Sequence, residues 1–217
     1  MSEKLKLSGF LALTGGALAC LLTPVMSLGY YQAYAVPGET PPFWFSAAQT
    51  PLSFLFAFAD EKTAYASYGK LFAIVYLLFL PGVWALHKLQ RKAGSRLEKT
   101  GYYFLLTALV VSCAGVTLDY WEIKPGWSLE LLGMLLLQIA ATLYGIASLS
   151  LKIIPRRLSI LFAAALPLCI ASFMLFKQIP GAPTLPLAVV SIAAGVFIIR
   201  LSETKSDLFL PKPSEII

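Results

Sequence analysis

The chain has 217 residues, 58% of them hydrophobic and 13% charged, with a formal net charge of +6. A soluble domain is nearer half apolar and about a quarter charged. This composition, with a mean hydropathy of +0.76, excludes an ordinary soluble domain and indicates a polytopic membrane protein with no room for an added soluble one.

Residues Met1–Leu7 are polar and basic through Lys4 and Lys6. The first apolar run, about 7–36, is long enough to span a bilayer with tilt. A signal peptide is the competing reading of this end, because Ala17-Leu18-Ala19-Cys20 loosely resembles a lipoprotein cleavage site. Ala17 stands where a larger aliphatic is usual, and the apolar run continues past Cys20, so a retained span is expected. Pro24 is a candidate kink.

The connection 37–67 breaks helices with Pro37, Gly38, Pro41, Pro42 and Pro51, yet it is strongly aromatic (Phe43, Trp44, Phe45, Phe54, Phe56, Phe58). Its apolar stretch 52–59 is too short to span. It is expected to lie in the outer interface as a belt anchor or to fold back over the bundle, in the sharper reading as a lid over an outward-facing pocket.

The second span, about 68–86, carries Pro81-Gly82 and ends at His87. As the sole histidine, His87 cannot pair with another to hold haem or a His-rich metal site, and it reads as an interfacial residue. The loop 88–99 follows with Lys88, Arg91, Lys92, Arg96 and Lys99 against Glu98. The third span, about 101–118, presents Ala108, Ser112 and Gly115 at helical spacing and ends in Asp119-Tyr120-Trp121-Glu122. A tight outer turn through Lys124, Pro125, Gly126 and Trp127 leads to the fourth span, about 128–151. This span carries Glu130 one turn in, then Gln138, Thr142 and Tyr144, with Ala141 and Gly145 as a small-residue pair.

Lys152, Arg156 and Arg157 form a second basic turn around Pro155. The fifth span, about 158–176, has Pro167 near its middle. The sixth, about 184–201, follows a Pro- and Gly-rich outer turn and pairs Ser191 with Gly195. The polar tail 202–217 is expected to be cytoplasmic and disordered towards its end.

The basic loops alternate with outer loops that carry one lysine each (Lys62, Lys124, Lys177). The positive-inside pattern therefore predicts an all-α, polytopic bundle of six spans, residues 1–201, with both termini cytoplasmic, in a plasma or bacterial inner membrane. The positive charge reports topology and contact with anionic lipid rather than nucleic acid, and no zinc-finger or helix-turn-helix pattern occurs. Cys20, Cys113 and Cys169 are widely spaced inside apolar runs and read as free thiols. No metal or other cofactor is expected. In outline — six short spans, inward termini, a long first outer loop — the chain is similar to the vitamin-binding subunits of energy-coupling-factor transporters. That resemblance of architecture implies capture of a small ligand.

Enzyme motifs such as G-x-S-x-G, H-E-x-x-H and a phosphate-binding glycine loop do not occur. No ionisable residue can be placed deep in a span from sequence, which argues against a proton relay or voltage sensor. The one constellation that stands out surrounds the turn between spans three and four: Asp119, Tyr120, Trp121, Glu122, Trp127 and Glu130, with Trp44 and Tyr30, Tyr31 and Tyr34 at similar depth. Aromatic faces and carboxylates together suit an organic cation, and they also suit an ordinary aromatic belt. The expected function is non-enzymatic binding or transport of a small or lipidic molecule from the outer face. An alternative is a structural or accessory subunit whose small-residue faces bind a membrane-protein partner or a second copy. A third reading is a membrane enzyme that uses the outer carboxylates.

Overall fold

A computed structural model describes residues 2–34, 36, 38–92 and 95–207. Every regular element among them is helical: α1 (Ser2–Ala33), α2 (Phe45–Gln49), a 3-10 turn (Ser53–Phe56), α3 (Glu61–Gln90), α4 (Arg96–Tyr120), α5 (Gly126–Leu151), α6 (Arg156–Ala163), α7 (Ala165–Phe176) and α8 (Gly181–Asp207). Five of these, α1, α3, α4, α5 and α8, are long and apolar enough to cross a membrane. The bent pair α6–α7 makes a sixth crossing if it is one span.

Each departure from the expected spans has a local cause. Helix α3 starts at Glu61 rather than Tyr68, because the Asp60 carboxylate accepts the Thr63 N–H at 3.1 Å and caps a polar first turn that hydropathy does not register. The fifth span breaks at Ala164 with a 62° bend. Pro167 has no N–H for the Ala163 carbonyl, and its ring crowds that oxygen. By contrast, α1 runs unbroken through Pro24. Helix α8 continues to Asp207, so the first residues of the expected tail are helical, while 208–217 lie outside the described residues.

The helices form a closed circuit in which α1 packs on α3, α3 on α4, α4 on α5, α5 on α6 and α7, and α8 on α6, α7 and α1. Contacts run antiparallel along the two most extensive pairs. Gly101 faces Tyr144, Ser112 faces Gly133 and Gly115 faces Glu130 along α4–α5. Gly9 faces Gly195 and Gly16 faces Ala188 along α1–α8. The middle is filled, not hollow: Phe72, Tyr76, Leu137 and Tyr144 are wholly buried, and the Tyr76 hydroxyl meets Thr184 Oγ1 at 2.6 Å across the bundle.

The small residues expected at helix faces are used within the chain. Ala108, Ser112 and Ala141 are fully buried. A Cβ on Gly145 would lie 2.2 Å from the Ala163 nitrogen, and one on Gly195 would lie 2.6 Å from the Gly9 carbonyl oxygen. Ser191 donates to the Ala12 carbonyl at 2.8 Å. These faces are thus occupied by neighbouring helices.

The Lys6–Glu203 pair, 3.2 Å apart, joins the start of α1 to the end of α8, so both ends of the described chain lie at one end of the bundle. The α3–α4 loop lies at the same end, as the antiparallel pairing of α3 with α1 requires, and the Ser148–Gln90 hydrogen bond brings the α5–α6 turn there too. The basic loops expected to share a side do so. The aromatic connection folds back over the other end. Phe56 packs with Leu28 and Ala64 in a small second core, the Tyr68 hydroxyl donates to the Leu55 carbonyl, and the Lys177 ammonium donates to the Thr40 carbonyl. The stretch is packed onto helices α1 and α3.

Candidate functional site

The α4–α5 hairpin shapes the end of the bundle away from the basic loops. Helix α4 stops at Tyr120, and Glu122 adopts a left-handed φ of 57° as the chain reverses. Helix α5 begins at Gly126, where a Cβ would meet the Asp119 nitrogen at 2.3 Å. So close a hairpin brings Glu130, one turn into α5, directly against Gly115. A Cβ there would lie 2.4 Å from the Glu130 nitrogen, which only glycine tolerates.

Glu130 is fully buried, and neither carboxylate oxygen makes a hydrogen bond of normal geometry, but the Asp119 carboxyl lies close enough to share a proton with it. Asp119 is the charged group that acts on it. Asp119 is half-buried and, with Glu122, Lys124 and Trp127, lines an open cleft of about 470 Å³. The Tyr65, Tyr76 and Tyr120 phenols lie within electrostatic range of Glu130 on the inner side. A carboxylate that is buried and unpaired must be offset by a cation or a proton, since desolvation otherwise costs several kcal/mol, on the order of 5.

A buried polar network surrounds this position. The Tyr120 hydroxyl donates to the Tyr65 hydroxyl at 3.1 Å, and Gln178 Nε2 donates to the same oxygen at 3.2 Å. Gln178 Nε2 also donates to the Ile179 carbonyl, and its Oε1 accepts the Gly181 N–H at 3.1 Å, capping the start of α8. Gln138 Nε2 donates to the Pro183 carbonyl at 2.8 Å, leaving its own oxygen unpaired. Gly69 makes room for the Tyr120 ring, which a Cβ would approach to 2.1 Å.

Residues expected to form one site are divided. Asp119, Glu122 and Trp127 share the first cleft. Tyr120, Trp121 and Glu122 line a second cleft of about 350 Å³ with Tyr34, Lys62 and Lys70. There the Lys70 ammonium sits 4.9 Å from the Trp121 ring centroid, so an internal cation already covers that aromatic face. Burial and the nearby carboxylates of Glu122, Asp60 and Asp119 raise the Tyr34 phenol above its usual range, in keeping with a cleft that gathers negative charge. Trp44 stands apart. Its indole N–H donates to the Leu175 carbonyl at 2.9 Å, and its ring leans on Phe176. Tyr30 and Tyr31 both donate to the Glu39 carboxylate, at 3.3 and 3.2 Å.

Tyr65, Tyr76, Gln178 and Thr184 were not expected to take part, because they lie in polar or proline-rich turns or singly within spans. A second polar cluster, at the basic end, was likewise unforeseen. His87 Nδ1 and Glu98 Oε1 are 2.8 Å apart, with Glu98 fully buried and His87 stacked on Tyr102 at 3.8 Å. Gln90 donates to the Tyr144 hydroxyl at 2.9 Å and accepts from Ser148 at 3.2 Å. His87 is therefore a packed partner of a buried carboxyl at the basic end of the bundle. Among the described residues no three His, Cys, Asp or Glu side chains gather as a metal site.

The fold defines the class: an all-helical protein with five helices long and apolar enough to cross a membrane, or six if the bent pair is one span. No known protein family, curated protein or solved structure matches the chain.

Proposed function

We propose that this is a multi-pass protein of a plasma or bacterial inner membrane, with its basic end cytoplasmic, that binds a small cationic molecule or lipid from the outer side without chemical conversion. The observation that carries this reading is Glu130, fully buried directly behind Asp119, with the two carboxyls close enough to share a proton and no ion-pair partner among the described residues. A cation entering past Asp119 would take the place of the proton that otherwise keeps this buried acid pair from carrying two charges. Trp127 gives the cleft an open aromatic wall. The positive-inside pattern supports the sidedness.

Native mass spectrometry of the protein extracted gently from its own membrane tests the reading. The wild type is expected to retain a defined small molecule or lipid. Glu130→Gln, which keeps shape and removes charge, is expected to lose it. The same adduct on both proteins, or a wild type that carries none, would overturn the assignment.

A further inference from the structure

At the opposite end of the bundle, the α5–α6 turn borders an open cleft of about 900 Å³. Lys152 leaves α5 in the left-handed conformation, φ 55°, and the chain re-enters helix through Pro155. Proline suits this junction because its fixed φ and missing N–H cost nothing at a helix start. It also brings no side chain able to cap, so the first turn of α6 has no side-chain partner for its N–H groups. Lys152 and Arg156 line the cleft, and among the described residues no carboxylate does.

Ser159 supplies an independent indication. It also lines the cleft, it is fully buried, and its Oγ has no hydrogen-bond partner. A buried hydroxyl left unpaired costs free energy unless a ligand or water completes it. Neighbouring Ser148 is already committed to Gln90. Two cations, an uncapped helix start and an unpaired hydroxyl converge in one cleft. That donor set matches the tetrahedral oxygens of a phosphate. Leu149, Ile153 and Phe197 form an apolar wall beside it.

We infer that this cleft binds a phosphate-bearing anion, with the apolar wall favouring the headgroup of an anionic lipid over a soluble phosphate compound. Binding here is independent of Glu130 and of whatever occupies the outer end.

The test uses the full chain purified in neutral detergent, with phosphatidylglycerol, phosphatidylcholine and inorganic phosphate offered separately and bound mass read by native mass spectrometry. Lys152→Gln with Arg156→Gln is expected to lower retained phosphatidylglycerol about tenfold, as the loss of charge-assisted hydrogen bonds implies. Ser159→Ala is expected to lower it without changing charge. Arg91→Gln with Lys99→Gln, equal in charge loss at the same end of the bundle, is expected to leave it unchanged. Displacement of the lipid by inorganic phosphate would assign a soluble phosphate as the natural source, and resistance would assign the lipid. Equal losses in the Arg91/Lys99 control, an unaffected Ser159→Ala, or a wild type that retains neither phosphatidylglycerol nor phosphate would overturn the site.

Discussion

Replacing Gly115 with alanine tests whether the close approach of α4 and α5 is what holds Glu130 in place. The added Cβ would lie 2.4 Å from the Glu130 nitrogen and 2.5 Å from its Cα. Non-bonded carbons rest at about 3.5–4.0 Å, so the helices must part by roughly 1 Å at this level. Both opposing atoms are backbone, and no rotamer change can relieve them. Overpacking of this kind costs about 1–3 kcal/mol, whereas glycine to alanine inside a helix returns about 0.5–1 kcal/mol. The net loss is about 1–2 kcal/mol. Gly101 on the same helix face is the comparison. Its Cβ would meet the Tyr144 Cα at 3.1 Å, a shortfall of a few tenths of an ångström that the propensity gain offsets. Thermal unfolding in detergent, followed by reaction of the half-buried Cys113 and Cys169 thiols with a maleimide dye, should place Gly115→Ala clearly below Gly101→Ala and the latter near wild type. A Gly115→Ala protein as stable as Gly101→Ala would refute the argument that backbone contact sets the hairpin.

The other predictions concern single interactions. His87→Ala leaves Glu98 buried without its 2.8 Å partner, and should cost about 2–4 kcal/mol in unfolding experiments. The same change in a Glu98→Gln background should cost distinctly less, and equal costs would show that the two do not interact. Trp44→Phe keeps a ring against Phe176 but removes the hydrogen bond to Leu175. Limited proteolysis should cut within 45–59 faster in this variant, while the transmembrane fragments stay intact. Hydrogen bonds from Thr63 hold the Asp60 carboxyl below its usual range. A depressed folded value means the cap contributes fully above the ordinary carboxylate range, about pH 4. Its contribution fades as pH falls through the lower, folded value. Amide exchange over Glu61–Ala64, corrected for intrinsic rates, should therefore speed up on acidification, and Asp60→Asn should flatten that dependence.

Spans were legible because hydropathy and the 3.6-residue repeat are properties of the chain itself, and loop charge fixed which loops share an end. The break at Ala164 was foreshadowed by Pro167, whose missing N–H acts on a carbonyl four residues back. Partnerships across helices were not legible. Glu98 reads as one acid in a basic loop, three residues after Ser95 at the start of α4. Ser95 does accept the Glu98 N–H. The Glu98 side chain turns inward to His87 instead, and only the register of α3 against α4 dictates that choice. Tyr65 was hidden similarly, because a start at Glu61 makes it helical and points it towards Tyr120.

That comparison bears on function, because the chain buries two carboxyls at opposite ends and treats them differently. Glu98 meets His87 at 2.8 Å and keeps one oxygen unpaired. Its burial is explained by a partner that can carry the compensating charge. Glu130 is buried just as deeply, but its neighbour, close enough to share a proton, is another acid, Asp119. Like charges close together raise the cost of burial. Packing alone gains nothing from an acid here, since a glutamine or methionine would fill similar space more cheaply. An arrangement that is costly without a counter-ion and easily replaced by a neutral one makes sense where the counter-ion arrives from outside. Asp119 lines the open cleft beside Glu130, and under the proposed function it would be the point of entry. Under the proposed function Glu98 is structural and Glu130 is the ligand's counter-charge, so Glu98→Gln should leave retention of an outer-face ligand intact while Glu130→Gln abolishes it.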